Sequence, residues 1–167
     1  MQGEDERFAA YVSARSRWLR RMAYLLCQDW HRADDLVQTA VARLYVHWRR
    51  AEKVENLDGY TRTVLLRTFL AEQRTLRWRR GGTGSPIPEL AAAGSDLEAE
   101  MDLRNALRNL PPRQRAAVVL RYYCDLSVDQ TAEAMNCSTG NVKSQTARGL
   151  AALRRVLETE HQREHTS

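Results

Sequence analysis

Apolar residues recur every three or four positions along most of the chain and no stretch alternates strictly, so the pattern predicts helices and no sheet. Over residues 7–28 the apolar positions are Phe8, Tyr11, Val12, Trp18, Leu19, Met22, Leu25 and Leu26, with Arg15, Arg17, Arg20 and Arg21 between them. Residues 28–32 read as a turn. The next helix has Asp34 and Asp35 in its first turn, where negative charge suits the helix dipole. Leu36, Ala40, Leu44 and Trp48 fall on one line, with Val37, Val41 and Tyr45 beside it, a stripe wide enough to be core. The other flank, with Asp35, Gln38, Thr39 and Arg43, is where a partner could dock. Asn56 to Gly59 marks a turn, and a third helix from near Tyr60 carries Val64, Leu65, Leu66, Phe69 and Leu70. Residues 81–95 hold four of the eight glycines and two of the four prolines, a linker by composition. Leu97, Met101, Leu103, Ala106, Leu107 and Leu110 then define a helix near 96–109. Pro111-Pro112 opens another, with Val118, Val119, Leu120, Tyr122 and Tyr123 on its inward side. The expected fold is all-α, two small helical domains joined by a flexible linker.

The most specific local signal follows. Ser127-Val128-Asp129-Gln130 is a capping box in sequence, and a short helix runs from it to about Met135. Asn136-Cys137-Ser138 breaks that helix, with Asn136 suited to a left-handed cap and Ser138 to the start of the next helix. From Thr139 onward Val142, Thr146, Leu150, Leu153 and Leu157 form a buried stripe. The outer face shows Asn141, Lys143, Ser144, Gln145 and Arg148 and no acid. Two helices around a tight turn, the second polar and basic outside, make a helix-turn-helix pattern that suits DNA. The plainer reading is a helical hairpin with a solvated basic face.

Charge sharpens this picture. The net charge of +5 is unevenly spread: residues 1–80 carry 16 Lys/Arg against 10 Asp/Glu, and residues 103–157 carry nine against three. Between them, residues 81–102 carry five acids (Glu89, Asp96, Glu98, Glu100 and Asp102) and no base. Two basic blocks around an acidic connector suggest two surfaces that each meet a polyanion. In the first block, Arg67, Arg74, Arg77, Arg79 and Arg80 face a single acid, Glu72, and surround Trp78. Arginine supplies bidentate phosphate contacts, and an aromatic ring among arginines can stack on an unpaired base. Helix C-termini favour arginine too, but five exceed what capping needs.

Other chemistry finds little support. Cys27, Cys124 and Cys137 form no Cys-x-x-Cys unit and read as packing residues, so neither a metal nor a cofactor is expected. No phosphate loop, dinucleotide fingerprint or nucleophile elbow is present. The Asp34-Asp35 carboxylates diverge by about 100° on a helix, which leaves no paired acid and base. An independent catalytic activity is therefore not expected. No apolar run approaches the roughly 20 residues of a membrane span, and the acidic N-terminus lacks a signal peptide's apolar core, so a cytoplasmic protein is expected.

Specific motifs carry a family resemblance. Residues 110–127, Leu-Pro-Pro-Arg-Gln-Arg-Ala-Ala-Val-Val-Leu-Arg-Tyr-Tyr-Cys-Asp-Leu-Ser, resemble the opening of region 4 of bacterial sigma factors. Residues 135–154, with Gly-Asn-Val-Lys-Ser at 140–144, resemble its recognition helix. In the first half, Ala33-Asp-Asp-Leu-Val-Gln38 and Arg43-Leu-Tyr-Val-His-Trp48 are similar to regions 2.1–2.2, and residues 60–80 to regions 2.3–2.4. Two domains with only a linker between them resemble the extracytoplasmic-function group of the sigma-70 family, in its actinobacterial SigE-like subset.

The resemblance implies a dissociable RNA polymerase subunit that directs promoter-specific initiation through −10 and −35 recognition. It implies sigma region 2 at residues 7–80, a linker at 81–96, sigma region 4 at 97–157 and a polar tail at 158–167. Asp34, Asp35, Gln38 and Arg43 would dock on the β′ clamp helices, and region 4 would meet the β flap. Arg67, Arg74, Arg77, Trp78, Arg79 and Arg80 would act at the −10 element. Ser138, Thr139, Asn141, Lys143, Ser144 and Arg148 would act at the −35 major groove. Promoter DNA and an anti-sigma factor are the further partners implied. The acidic linker would thread the polymerase's RNA exit path, unless its acids only favour a helix N-terminus. Three departures stand out. Arg67 replaces a common Asn, Gln130-Thr131-Ala132 replaces Glu-Ile-Ala, and Asn141 and Gln145 replace Thr and Arg. The alternatives are a free-standing helix-turn-helix regulator, or an RNA-binding adaptor that uses only the arginine-rich segment.

Overall fold

The computed structural model describes residues 2–79 and 105–166, and every regular element within them is helical. The linker at 81–96, Arg80 and the expected helical positions Leu97, Met101 and Leu103 lie outside the described residues. The chain divides into two units, Met1–Glu72 and Gln73–Ser167.

The first unit begins with α1, Gln2–Cys27, which starts five residues before the position expected from its apolar pattern. Glu4 and Asp5 lie in its first turn, where the dipole favours acids. Glu4 also pairs with Arg49 at 3.2 Å, Asp5 accepts from the Tyr45 hydroxyl at 2.9 Å, and Arg7 pairs with Glu52. Gln28 then takes a left-handed φ of 60°, which ends the helix. Asp29 caps α2, Trp30–Val46, its carboxylate accepting from the Arg32 N–H at 3.1 Å. The expected turn at 28–32 is therefore only two residues long. Asp34 and Asp35 lie beyond the first turn of α2, because Asp29 takes the capping role.

A short helix α3, Trp48–Ala51, leads to α4, Leu57–Arg79. Asn56 starts α4 three residues before the expected point, its side chain accepting from the Gly59 N–H at 3.0 Å. A Cβ on Gly59 would stand 2.6 Å from Asn56 Nδ2, so a larger residue there would shift the capping side chain. Leu19, Met22, Leu26, Leu36, Leu44, Leu65, Leu66 and Phe69 fill the core. Trp48 joins it with Phe8 and Tyr11 packed alongside, whereas Tyr45 remains half exposed at the edge of the stripe.

A polar network ties α1 to α4. Asp58 Oδ1 accepts from Arg15 Nε and from the Tyr11 hydroxyl, each at 2.8 Å. The Arg15 hydrogen bond holds the Asp58 carboxyl below its usual range. A carboxyl depressed in the folded state stabilises above its unfolded pKa of about 4 and stops doing so as pH falls through the folded value. The melting temperature of Asp58→Asn should therefore lie below that of the wild type at pH 7. The gap should narrow as the pH of the melts falls below about 4 and Asp58 takes up its proton.

In the second unit, Pro112 occupies the first turn of α5, Pro112–Val118, where its missing N–H costs nothing. The helix widens into a π-turn over Val119–Tyr123, closed by the Cys124 N–H on the Val119 carbonyl at 3.0 Å. That extra residue rotates the following side chains off the buried face. Tyr122 and Tyr123, expected inside, are 60% and 47% exposed, while Val118, Val119 and Leu120 are buried as expected.

Helix α6, Val128–Met135, has the expected capping box: Ser127 Oγ accepts from the Gln130 N–H at 3.1 Å and Gln130 Oε1 accepts from the Ser127 N–H at 2.9 Å. Asn136 takes the left-handed conformation, φ 54° and ψ 53°. Ser138 Oγ accepts from the Asn141 N–H at 3.0 Å and starts α7, Thr139–Thr166. Within the expected polar tail at 158–167, residues 158–166 continue this helix; they contain no glycine or proline to stop it.

Helices α5 and α7 approach closely at Gly149. A Cβ there would stand 2.7 Å from Val118 Cγ2 and 3.4 Å from the Gln114 carbonyl oxygen. Gly149→Ala should destabilise the domain by about 1–3 kcal/mol, the usual cost of overpacking, despite alanine's better helix propensity. Chemical denaturation of the two proteins measures this directly.

Candidate functional site

Three surfaces gather the residues expected to act. On α2, Asp35 and Gln38 are exposed one turn apart, and the exposed ridge continues through Ala42 to Val46, which is 75% exposed. The other two expected docking residues are engaged within the unit. Asp34 Oδ1 accepts from Arg20 Nε of α1 at 2.8 Å, and this hydrogen bond lowers the carboxyl's pKa. Arg43 is exposed, but its Nη1 donates to Thr68 Oγ1 of α4 at 3.2 Å. Thr68 is fully buried and donates in turn to the Val64 carbonyl at 2.7 Å. Asp35 and Gln38 thus present their side chains outward, whereas Asp34 and Arg43 spend theirs on α1 and α4.

The second surface is the end of α4. Arg74, Arg77 and Arg79 are exposed, and Trp78 is 82% exposed. Arg74 lies one turn before Trp78, so a guanidinium and an indole share that side of the helix. Arg67 is exposed two turns earlier, and Arg80 lies outside the described residues. A large indole left in water among arginines offers a stacking face beside phosphate-binding groups.

The third surface is the first half of α7. Val142, Thr146, Gly149 and Leu153 are buried, while Thr139, Asn141, Lys143, Ser144 and Arg148 are exposed. At 100° per residue, Asn141, Ser144 and Arg148 form one outward ridge, and Lys143 stands about 100° to the side of Ser144. Ser138 is exposed, and its hydroxyl oxygen caps the helix by accepting from the Asn141 N–H. Gly140, which opens the Gly-Asn-Val-Lys-Ser motif, and Ala147, which no motif marks, are exposed too. They lie on the arc between Lys143 and the ridge, where small side chains let a flat surface come close. Only the helical register could have placed them there.

Cys27 is buried and Cys124 and Cys137 are half-buried. Among the described residues no group of three His, Cys, Asp or Glu could hold a metal ion, and no helix is long and apolar enough to cross a membrane.

Residues 11–79 match the Sigma-70 region 2 family, and residues 100–153 match Sigma-70, region 4. The RNA polymerase sigma-E factor of Streptomyces coelicolor is 38% identical over 161 residues, which cover 93% of this chain and 88% of that one. This chain belongs to the extracytoplasmic-function sigma factors of the sigma-70 family. The sigma-E factor of Streptomyces avermitilis is similar, 37% identical over 94% of this chain and 88% of that one. The fold of this sigma factor also resembles that of RpoE from Bartonella quintana, solved in complex with the anti-sigma factor NepR. The TM-score is 0.70 at 23% identity, over 92% of this chain and 98% of that one.

Sigma factors are transcription initiation factors, and this one is an RNA polymerase subunit with two DNA-binding regions. The region 2 match ends at the exposed Trp78 and Arg79, and the region 4 match takes in α5, α6 and the first half of α7.

Proposed function

We propose that this sigma factor docks on the β′ clamp helices of RNA polymerase through Asp35 and Gln38 on α2. In this reading residues 7–80 form the core-binding and −10 module, residues 81–96 the connector and residues 97–157 the −35 module, which also meets the β flap. The end of α4 melts and holds the −10 strand, with Trp78 stacking on a base and Arg74, Arg77, Arg79 and Arg80 on phosphates. Arg67 reaches the same strand. On α7, Asn141, Ser144 and Arg148 read base edges in the −35 major groove, while Thr139 and Lys143, with the Ser138 O–H, bind the backbone. The protein works in the cytoplasm and has no catalytic activity of its own. An anti-sigma factor, of the kind bound by the Bartonella quintana protein, is a further candidate partner.

The observation that carries this reading is the division of α7 into a buried side and an exposed, acid-free ridge next to small residues. A groove reader needs a face that can approach base edges and a flank that can neutralise phosphates.

Separating the two surfaces tests it. Asp35→Ala should weaken core binding about 5- to 30-fold, equivalent to about 1–2 kcal/mol, with promoter preference unchanged. Arg148→Ala should bind core as the wild type does. Equal core affinity for Asp35→Ala and the wild type would remove Asp35 from the docking face.

A further inference from the structure

The corner between α1 and α2 carries a layered aromatic stack. The rings of Tyr24 and Trp30 lie parallel within 15°, with 4.0 Å between centroids. The Arg20 guanidinium carbon lies over the Trp30 ring, 4.4 Å from its centroid. Two groups this close to one centroid cannot share a face, so Trp30 is sandwiched between Tyr24 and Arg20. Arg20 Nε donates to Asp34 Oδ1 at 2.8 Å, which fixes the outer layer.

Trp30 nevertheless remains 41% exposed, and the Arg20 and Asp34 side chains are 53% and 47% exposed. With both ring faces covered, the indole presents its edge to the outside. Simple packing of the α1–α2 corner does not require this, because Leu19, Met22, Leu26, Leu36 and Ala40 already bury that contact. A tryptophan locked by a cation and a second ring loses little conformational freedom on binding. Trp, Tyr and Arg are also the residue types that dominate interface hot spots.

Position decides the partner. Trp30, Asp34 and Gln38 form one i, i+4 row on α2 that turns through about 80° and continues to Ala42 and Val46, with Asp35 about 60° beyond Gln38. Eight residues of helix span about 12 Å, so a rod-shaped partner inclined along this row, as i, i+4 ridges favour, meets both Gln38 and the stack. We propose that the core-polymerase docking face extends onto the Trp30 edge and the outer N–H groups of Arg20, with Asp34 as a positioning residue. The partner segment would supply an apolar side chain to the indole edge and a carboxylate to Arg20. This inference rests on the proposed docking of α2 on core polymerase.

The test measures affinity of the full-length chain for purified core polymerase by competition, with a thermal melt of each variant as a folding control. Trp30→Ala should weaken binding about tenfold or more. Asp34→Ala should weaken it about threefold, the size of one partial contact, and Asp34→Glu should restore it, since the longer carboxylate can still hold Arg20. If Trp30→Ala melts well below the wild type, Arg20→Gln carries the test, and it too should weaken binding. Wild-type affinity for both Trp30→Ala and Arg20→Gln, alongside weakened binding by Asp35→Ala, would overturn the extension and leave the α2 docking face standing. Wild-type affinity for all three would overturn both.

Discussion

Trp78→Ala should sharply lower the yield of open promoter complexes while leaving core binding unchanged. The indole is 82% exposed, so its removal takes nothing from the core of the fold. Its surroundings give the change a specific consequence. Arg74, Arg77 and Arg79 crowd the same two turns of α4, where they can hold the phosphates of a strand whose base lies on the indole. Base–aromatic stacking contributes about 1–3 kcal/mol per base. The fraction of melted promoter should therefore fall about 5- to 150-fold, read by the reactivity of unpaired thymines to permanganate. Trp78→Phe keeps an aromatic face and should retain most of the activity. Equal melting by Trp78→Ala and the wild type would move the strand-holding role elsewhere on α4.

The recognition helix should show two distinct kinds of loss. Arg148 stands on the outward ridge with Asn141 and Ser144, so Arg148→Ala should remove a base contact worth about 1–3 kcal/mol. Initiation should drop about 5- to 150-fold on promoters with an intact −35 element, and discrimination at one base pair should relax. Lys143 stands about 100° from Ser144, on the flank that the proposed docking turns to the phosphate backbone. Lys143→Ala should weaken binding alike on all sequences and lower the slope of log affinity against log salt by about one. Salt titrations of both variants in holoenzyme separate the two. The opposite pattern, with a salt slope lowered by Arg148→Ala and sequence preference relaxed by Lys143→Ala, would reverse the roles assigned to the ridge and its flank.

What the sequence made legible was local. The Ser127–Gln130 capping box, the left-handed Asn136 and the Ser138 cap each depend on residues within four positions of one another. Of the line expected from spacing, Val142, Thr146 and Leu153 are buried, whereas Leu150 is half-buried and Leu157 is 44% exposed. The departures arose where distant residues decide. The start of α2 depends on the left-handed Gln28 that frees Asp29 to cap it. The sequence places Asp34 and Arg43 on α2 but carries no sign of their partners, Arg20 and Thr68, which α1 and α4 supply. Tyr122 and Tyr123 were assigned to the wrong side because regular helical spacing carries no sign of a π-turn. Trp30 went unused in the sequence because it fell in an expected turn, and its stack with Tyr24 and Arg20 forms only when α1 and α2 pack.

The central claim is that this chain reads promoters as a polymerase subunit, through two regions acting together. In vitro transcription with purified core polymerase, with and without the protein, on a pool of promoter fragments tests it most directly. The account predicts new start sites that appear only with the protein and are lost when either the −10 or the −35 element is scrambled, while the protein alone binds the same fragments weakly. No new start sites, together with tight and specific binding of a fragment by the protein without core, would contradict it.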